Sequence, residues 1–208
     1  MSNFKKKVIG LSVAFLLGIT IILIVFAFRH LNHFLSINSA VKAKIMVVEG
    51  WIPDYALIGA KNEFEKNGYT LLIAVGGPLD IGSHLSKYKS YARLTVRRLE
   101  EMGIPERQIA EIETKNVMND RTYEAAKAVK HWLALSGIET KNINVYTLGA
   151  HARRSQLLFK KAFVGKVNVG VISAKDESYD HDNWWRSSSG VRTVLSETVG
   201  YIYSSFWD

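Results

Sequence analysis

Two hydrophobic patterns divide the chain. From Val8 to Phe28 every residue is apolar, small or hydroxylated, and none is charged. About 20 such residues, rising 1.5 Å each, cross a hydrocarbon core of roughly 30 Å, so this run predicts a transmembrane helix. From Ile45 onward the pattern changes to short apolar runs separated by longer stretches of helical period. The runs Ile45–Val48, Tyr69–Val75, Ile109–Glu113, Ile143–Leu148 and Val167–Ser173 predict five strands. Between and after them, helical spacing predicts helices over 55–66, 88–102, from Asn119 or Asp120 to Leu135, over 152–163 and over 190–206. Gly76-Gly77-Pro78 stops the second strand, and Gly103 followed by Pro105 stops the helix before it.

Strand and helix alternate about five times. The pattern predicts an α/β, Rossmann-like domain: a mostly parallel sheet of about five strands, right-handed crossovers and helices on both faces. Four segments follow, namely a cytoplasmic tail over 1–7, the membrane helix over 8–28, a juxtamembrane linker over 29–43 and a single domain over 44–208. The 8–28 run exceeds the ~7–15 residues of a signal-peptide core. Bulky Phe26 and Phe28 then precede Arg29, with no small-x-small cleavage site close behind, so a retained anchor is expected. Lys5, Lys6 and Lys7 before the span favour a cytoplasmic N-terminus and an extracytoplasmic domain.

Charge alters this picture little. The chain carries +8, but residues 1–43 hold five Lys or Arg and no acid, so of 27 basic residues 22 remain against 19 acids in the rest. A domain of about +3 with interleaved signs lacks the electrostatic footprint of a nucleic-acid binder, and nucleic acid is not expected as a partner. With no cysteine, disulfides and thiol chemistry are excluded.

In an open parallel sheet, ligands bind beyond the carboxyl ends of the strands. Those ends here deliver Glu49, then Gly76, Gly77 and Asp80, then Asn119 and Arg121, then His151, Arg153 and Arg154, and finally Trp185 and Arg186. Gly76-Gly77 is either a tight turn or a place where missing side chains admit an anion to backbone N–H groups. No GxGxxG or GxxxxGK[ST] pattern accompanies it. His151-Ala152-Arg153-Arg154 sets cations in the first turn of a helix, where the dipole disfavours them unless an anion is bound. Helical spacing turns Arg154 towards the packed side with Leu158 and Ala162, making it the better candidate for the crevice. Arg121 repeats the arrangement at another helix start, with Asp120 or Glu124 as the local alternative partner. Glu49 is either a general base with raised pKa or an orienting partner for His151 or an arginine. Asp180-His181-Asp182 reads as a solvated loop, no metal site is expected, and no cofactor is assigned. Trp184-Trp185-Arg186 reads as a lid or stacking platform, or as an aromatic anchor for the last helix.

Several of these pieces together resemble the ElyC/SanA/YdcF family over roughly residues 43–206. They are Val47-Val48-Glu49-Gly50, Ile73-Ala74-Val75-Gly76-Gly77, Met102-Gly103-Ile104-Pro105, Arg121-Thr122-Tyr123-Glu124-Ala125 and His151-Ala152-Arg153-Arg154. The chain departs from that family after the first strand and around Asp120. The resemblance implies a Rossmann-like domain tethered to the bacterial inner membrane and linked to envelope integrity, lipid-carrier or peptidoglycan metabolism. The expected function is a membrane-anchored site for a phosphorylated small-molecule or lipid-linked ligand, with membrane lipid as a partner. If it is an enzyme, phosphate-ester or phosphoanhydride chemistry is expected, with Glu49 or His151 moving protons. A nucleotide or S-adenosylmethionine binding domain and a non-catalytic envelope scaffold are the alternatives.

Overall fold

The computed structural model describes residues 3–117 and 119–207. The side chains of residues 3–10 and of Trp207 lie outside that description, and with them the Lys5–Lys7 cluster and one aromatic of the last helix.

Five strands, β1 (Ile45–Glu49), β2 (Leu71–Gly76), β3 (Ile109–Glu113), β4 (Asn142–Leu148) and β5 (Asn168–Ala174), pair in parallel in the order β3-β2-β1-β4-β5. The chain winds outward from β1 to β3, crosses back, and continues from β4 to β5. This reversal between β1 and β4 is the switch point of a doubly wound sheet. In β1 every residue is buried, and alternation sends them to opposite faces. Met46 and Val48 pack with α2 (Asp54–Lys66) and Leu99 of α3 (Tyr91–Glu101). Ile45 and Val47 pack with α4 (Arg121–Leu135) and α5 (Ala152–Phe163) on the other face. Each large apolar side chain buried in this way stabilises the fold by roughly 1.5–3 kcal/mol. The small residues Ala125 and Ala126 let α4 lie close to the sheet. The last helix, α6 (Ser188–Trp207), packs against α5 and the end of the first helix rather than against strands.

That first helix, α1, runs unbroken from Asn3 to Leu35. Residues 11–30 are exposed along its whole circumference, and the stretch is long and apolar enough to cross a membrane. The helix does not end where the apolar run ends. Its last two turns enter the domain, where Asn32 and Leu35 are fully buried. Leu35 joins Ala150, Tyr179, Trp184 and Val194 in a cluster of their own. Asn32 accepts from the Tyr179 hydroxyl (2.9 Å) and donates to the His181 carbonyl (3.1 Å), while Trp184 Nε1 donates to the Arg29 carbonyl.

The segment expected to be a linker is therefore structured throughout. After Leu35 the chain runs antiparallel along β5. Asn38 accepts from the Ser173 N–H, Ser39 exchanges backbone bonds with Val171, and Val41 bonds both ends of the Asn144 amide. The chain thus descends from the carboxyl edge of the sheet to its amino edge, where the Lys44 carbonyl takes the Thr70 N–H and β1 begins.

Candidate functional site

A cleft of about 520 Å³ opens at the carboxyl ends of β1, β2 and β3 beside the start of α5. The end of β1 supplies Glu49, whose side chain is buried. Beyond β4 the backbone turns at Gly149, with φ +46°, where a Cβ would press against Asp176. The tight turn over 149–151 then sets His151 immediately before α5.

His151 lies between two carboxylates. Its Nε2 is 3.5 Å from Glu49 Oε2 and its Nδ1 is 3.0 Å from Glu197 Oε2. Thr122 Oγ1 sits 3.3 Å from Nε2, and the Trp51 ring meets the imidazole edge-on at 5.1 Å. Glu49 also accepts from Ser155 Oγ (2.8 Å) and from Thr147 Oγ1. Arg154 holds the same carboxylate through Nε (2.8 Å) and Nη2 (3.1 Å), and its Nη2 also lies 3.1 Å from His151 Nδ1. Gly200 leaves room for that guanidinium against α6, since a Cβ there would come within 3.0 Å of Arg154 Nε.

Electrostatics fix the charge states. Burial works against an imidazolium, but Glu49 and Glu197 outweigh it and push the His151 pKa up to about 9. Burial also opposes ionisation of Glu49, yet the charge of His151 and the bonds from His151, Thr147 and Ser155 hold its carboxyl below the ordinary range. Glu197 is likewise desolvated, and His151 with Arg154 holds it well below that range. At neutral pH the four groups are two anions and two cations, and their charges cancel.

The sequence expectations for these residues change accordingly. Glu49 is not a base with raised pKa; it is an ionised carboxylate that orients His151. His151 and Arg154 are not unpaired cations waiting for an anion, because each faces a carboxylate. His151, with Glu197 and Arg154 at Nδ1 and with Thr122 and, at 3.5 Å, Glu49 at Nε2, is instead a protonated group whose Nε2 side is the more loosely held.

Across the cleft, at the start of α4, Arg121 and Lys115 stand beside Asp80 and Asp120, all four exposed. Asp120 adopts left-handed backbone (φ 56°) just before α4, and its side chain makes no capping bond. The first intrahelical bond runs from Glu124 N–H to Asp120 C=O, so the N–H groups of Arg121, Thr122 and Tyr123 have no acceptor within the helix. Arg121 pairs with Asp80 at 3.1 Å rather than with Asp120 or Glu124. Both side chains are mostly exposed, at 63% and 52%. Such a pair is worth about 0–1 kcal/mol and exchanges readily. Exposed Lys115 lines the same wall.

Of the residues expected at the site, Glu49, Gly76, Gly77, Asp80, Arg121, His151 and Arg154 come together at the cleft. Gly76 does line it, but its missing side chain is required by packing: a Cβ would stand 2.8 Å from Tyr91 Cβ, as one on Gly50 would stand 2.8 Å from the Tyr91 carbonyl. These two glycines let α3 start against the sheet. Gly50→Ala is expected to destabilise the domain by about 1–3 kcal/mol through overpacking, measurable by chemical denaturation.

Four residues lie elsewhere. Arg153 stacks its guanidinium 3.9 Å over Phe34 and bonds the Phe34 carbonyl, pinning α1 to α5. Trp185 packs near Phe28 and under Arg29 beside α1, so it is neither lid nor platform for the cleft. Arg186 is exposed in the same turn, and Asn119 is exposed outside the cleft lining. Asp180 accepts from the Asp182 and Asn183 backbone and folds its own loop. Glu197 went unnoticed in the sequence. It is the one acid of α6 and shares a face with Val194 and Tyr201, a placement that marks a buried carboxylate.

Comparison of the chain with protein-family models, with curated proteins and with solved structures gives no match in any of the three.

Proposed function

We propose that this chain is a single-pass membrane protein, anchored by α1 with its domain outside the cytoplasm, whose cleft holds the phosphorylated part of a ligand. The observation that carries the reading is the uncapped start of α4, with Arg121 and Lys115 beside it, facing a buried and protonated His151. Helix N–H groups and an exchangeable guanidinium suit phosphate oxygens. Bound phosphate would replace Asp80 on Arg121. His151, Glu49 and Glu197 form the opposite, rigid wall. If the ligand is turned over, the chemistry is hydrolysis of a phosphate ester or anhydride: a water oxygen bonds phosphorus and gives its proton to solvent, the P–O bond to the leaving group breaks, and His151 gives its Nε2 proton, held only loosely at 3.5 Å from Glu49, to the departing oxygen and is left neutral. The resemblance to the ElyC/SanA/YdcF family supports a bacterial envelope setting and a lipid-linked ligand.

Thermal melting of the full chain in detergent, with inorganic pyrophosphate or a short-chain prenyl phosphate, tests the reading. Ligand at 100 times its Kd stabilises by about 2.7 kcal/mol, a rise of roughly 5–10 °C for a domain of this size. Replacing Arg121 and Lys115 by Ala together is expected to abolish most of that rise while leaving the unliganded melt nearly unchanged, because both side chains are exposed. Absence of a shift with every phosphorylated probe would remove the reading.

A further inference from the structure

The geometry points to a second membrane contact: the loop over 79–89, beside the cleft, dips into the same bilayer that α1 crosses. The inference rests on the reading of α1 as an anchor and adds to it the face that the domain turns towards the lipid.

The path of the chain fixes that face. α1 meets the domain at the carboxyl edge of the sheet, with Asn32 bonded to Tyr179 and the His181 carbonyl, and Phe28 against Trp184 at 4.6 Å. These partners follow the end of β5. Only then does the chain turn down beside β5 to reach the amino edge at Lys44. The bare apolar length of α1 therefore projects from the carboxyl edge, and the bilayer lies on that side.

The loop over 79–89 leaves the same edge, from the end of β2. Its tip carries Ile81 and Leu85, which at 91% and 95% are the most exposed large hydrophobic side chains among the described residues. They flank a turn at Gly82, whose φ of +75° bends the loop outward. Lys89 closes the loop by bonding the Ser83 carbonyl at 2.7 Å, and Lys87 lies over the Tyr88 ring. From 79 to 89 the sequence has two lysines, one histidine and one acid, Asp80, which is paired with Arg121 at the base of the loop. An apolar tip with basic and aromatic residues behind it is the chemistry of a segment that enters the headgroup region. Three strand spacings separate β2 from β5, about 15 Å, so the loop and α1 can touch one bilayer at once. The cleft, lined by Asp80 of this loop and by His151, opens at the same carboxyl edge, which makes a lipid-borne phosphate the ligand class that reaches it.

The absence of cysteine makes the test direct. Single variants Ile81→Cys and Leu85→Cys, with Lys66→Cys at the amino edge as reference, are labelled with an environment-sensitive fluorophore in the full chain. The labelled chains are reconstituted into phosphatidylglycerol–phosphatidylcholine vesicles containing nitroxide lipid. Labels at 81 and 85 are expected to be quenched about twofold or more, and the label at 66 hardly at all. Equal quenching at the three positions overturns the inference. Emission shifted to the blue at 81 and 85 without lipid quenching also overturns it, and indicates a protein partner there instead. Failure of the chain to float with vesicles removes both the inference and the anchor. Unquenched labels in a chain that floats and still gains stability from pyrophosphate remove the inference alone.

Discussion

A chain beginning at residue 43 is expected to melt roughly 10–20 °C below one beginning at residue 29, although both lack the long apolar run. The difference lies in what residues 29–42 contribute to the domain. Leu35 is fully buried, and losing it removes roughly 1.5–3 kcal/mol of apolar burial and opens a cavity beside Trp184. The Tyr179 hydroxyl loses Asn32 as acceptor, Asn144 Oδ1 loses the Val41 N–H, and β5 loses its two bonds to Ser39. A buried polar group left unpaired costs about 1–3 kcal/mol. Together these losses exceed about 5 kcal/mol, and 1 kcal/mol moves the melting of a domain this size by about 2–4 °C. Circular-dichroism melts of the two chains give the comparison directly. Midpoints within 3 °C of each other, well inside the roughly 10–20 °C expected, would show that the stretch after the apolar run is dispensable.

The second large effect concerns His151. His151→Ala is expected to destabilise the protein by about 3–5 kcal/mol at pH 6, because it strips Glu49 of its charged partner and leaves a buried carboxylate with hydroxyl donors alone. The pH dependence separates this loss from a simple cavity. His151 titrates near 9 in the folded chain against an ordinary 6.5, so the folded state binds its proton more tightly than the unfolded state does. Its contribution is complete below about 6.5 and disappears as pH rises through about 9, a loss of about 3 kcal/mol. Glu49 and Glu197 have lowered values and act in the opposite direction: their contribution is present above about 4.5 and fades as pH falls through their folded values. Wild-type stability should therefore hold a plateau from about pH 4.5 to 6.5 and decline towards 9, whereas the variant should show no decline over that upper range. Denaturation at a series of pH values measures it. A wild-type protein as stable at pH 9 as at pH 6 would mean that the imidazole is not held between two carboxylates.

Much of the architecture could be read from local pattern. The buried run of β1, the glycine stop after β2 and the Gly103–Pro105 break each have a cause within a few residues, and the observed elements fall close to the expected ones. Helix α3 starts three residues later than its apolar spacing suggests because Ser90, whose Oγ accepts from the Arg93 N–H, caps it there and also bridges to Pro78. The packed direction of Arg154 followed from helical spacing. Its partner did not, since Glu197 stands 43 residues away on a helix that reaches the site only through tertiary packing. The same limit applies to the end of α1. The composition changes after Phe28, yet the helix continues because Asn32 and Leu35 find partners in segments that follow β5. The basic groups gathered at the strand ends were visible one by one, but their neutralisation was not, because ion pairing depends on which distant acids the topology brings alongside.

The unbroken passage from the apolar length of α1 to the domain has a mechanical consequence. A flexible tether of 15 residues would let the domain roam over about 20 Å. Here Phe28 and Leu35 are joined by two helical turns, about 10 Å of stiff post, and the head of the post is bolted to the protein by Arg153, Asn32 and Trp184. With α1 in a bilayer, the working edge keeps one height and one tilt. It can spin and drift in the plane but cannot stretch towards anything distant, so whatever it handles must be delivered to the surface on which it stands.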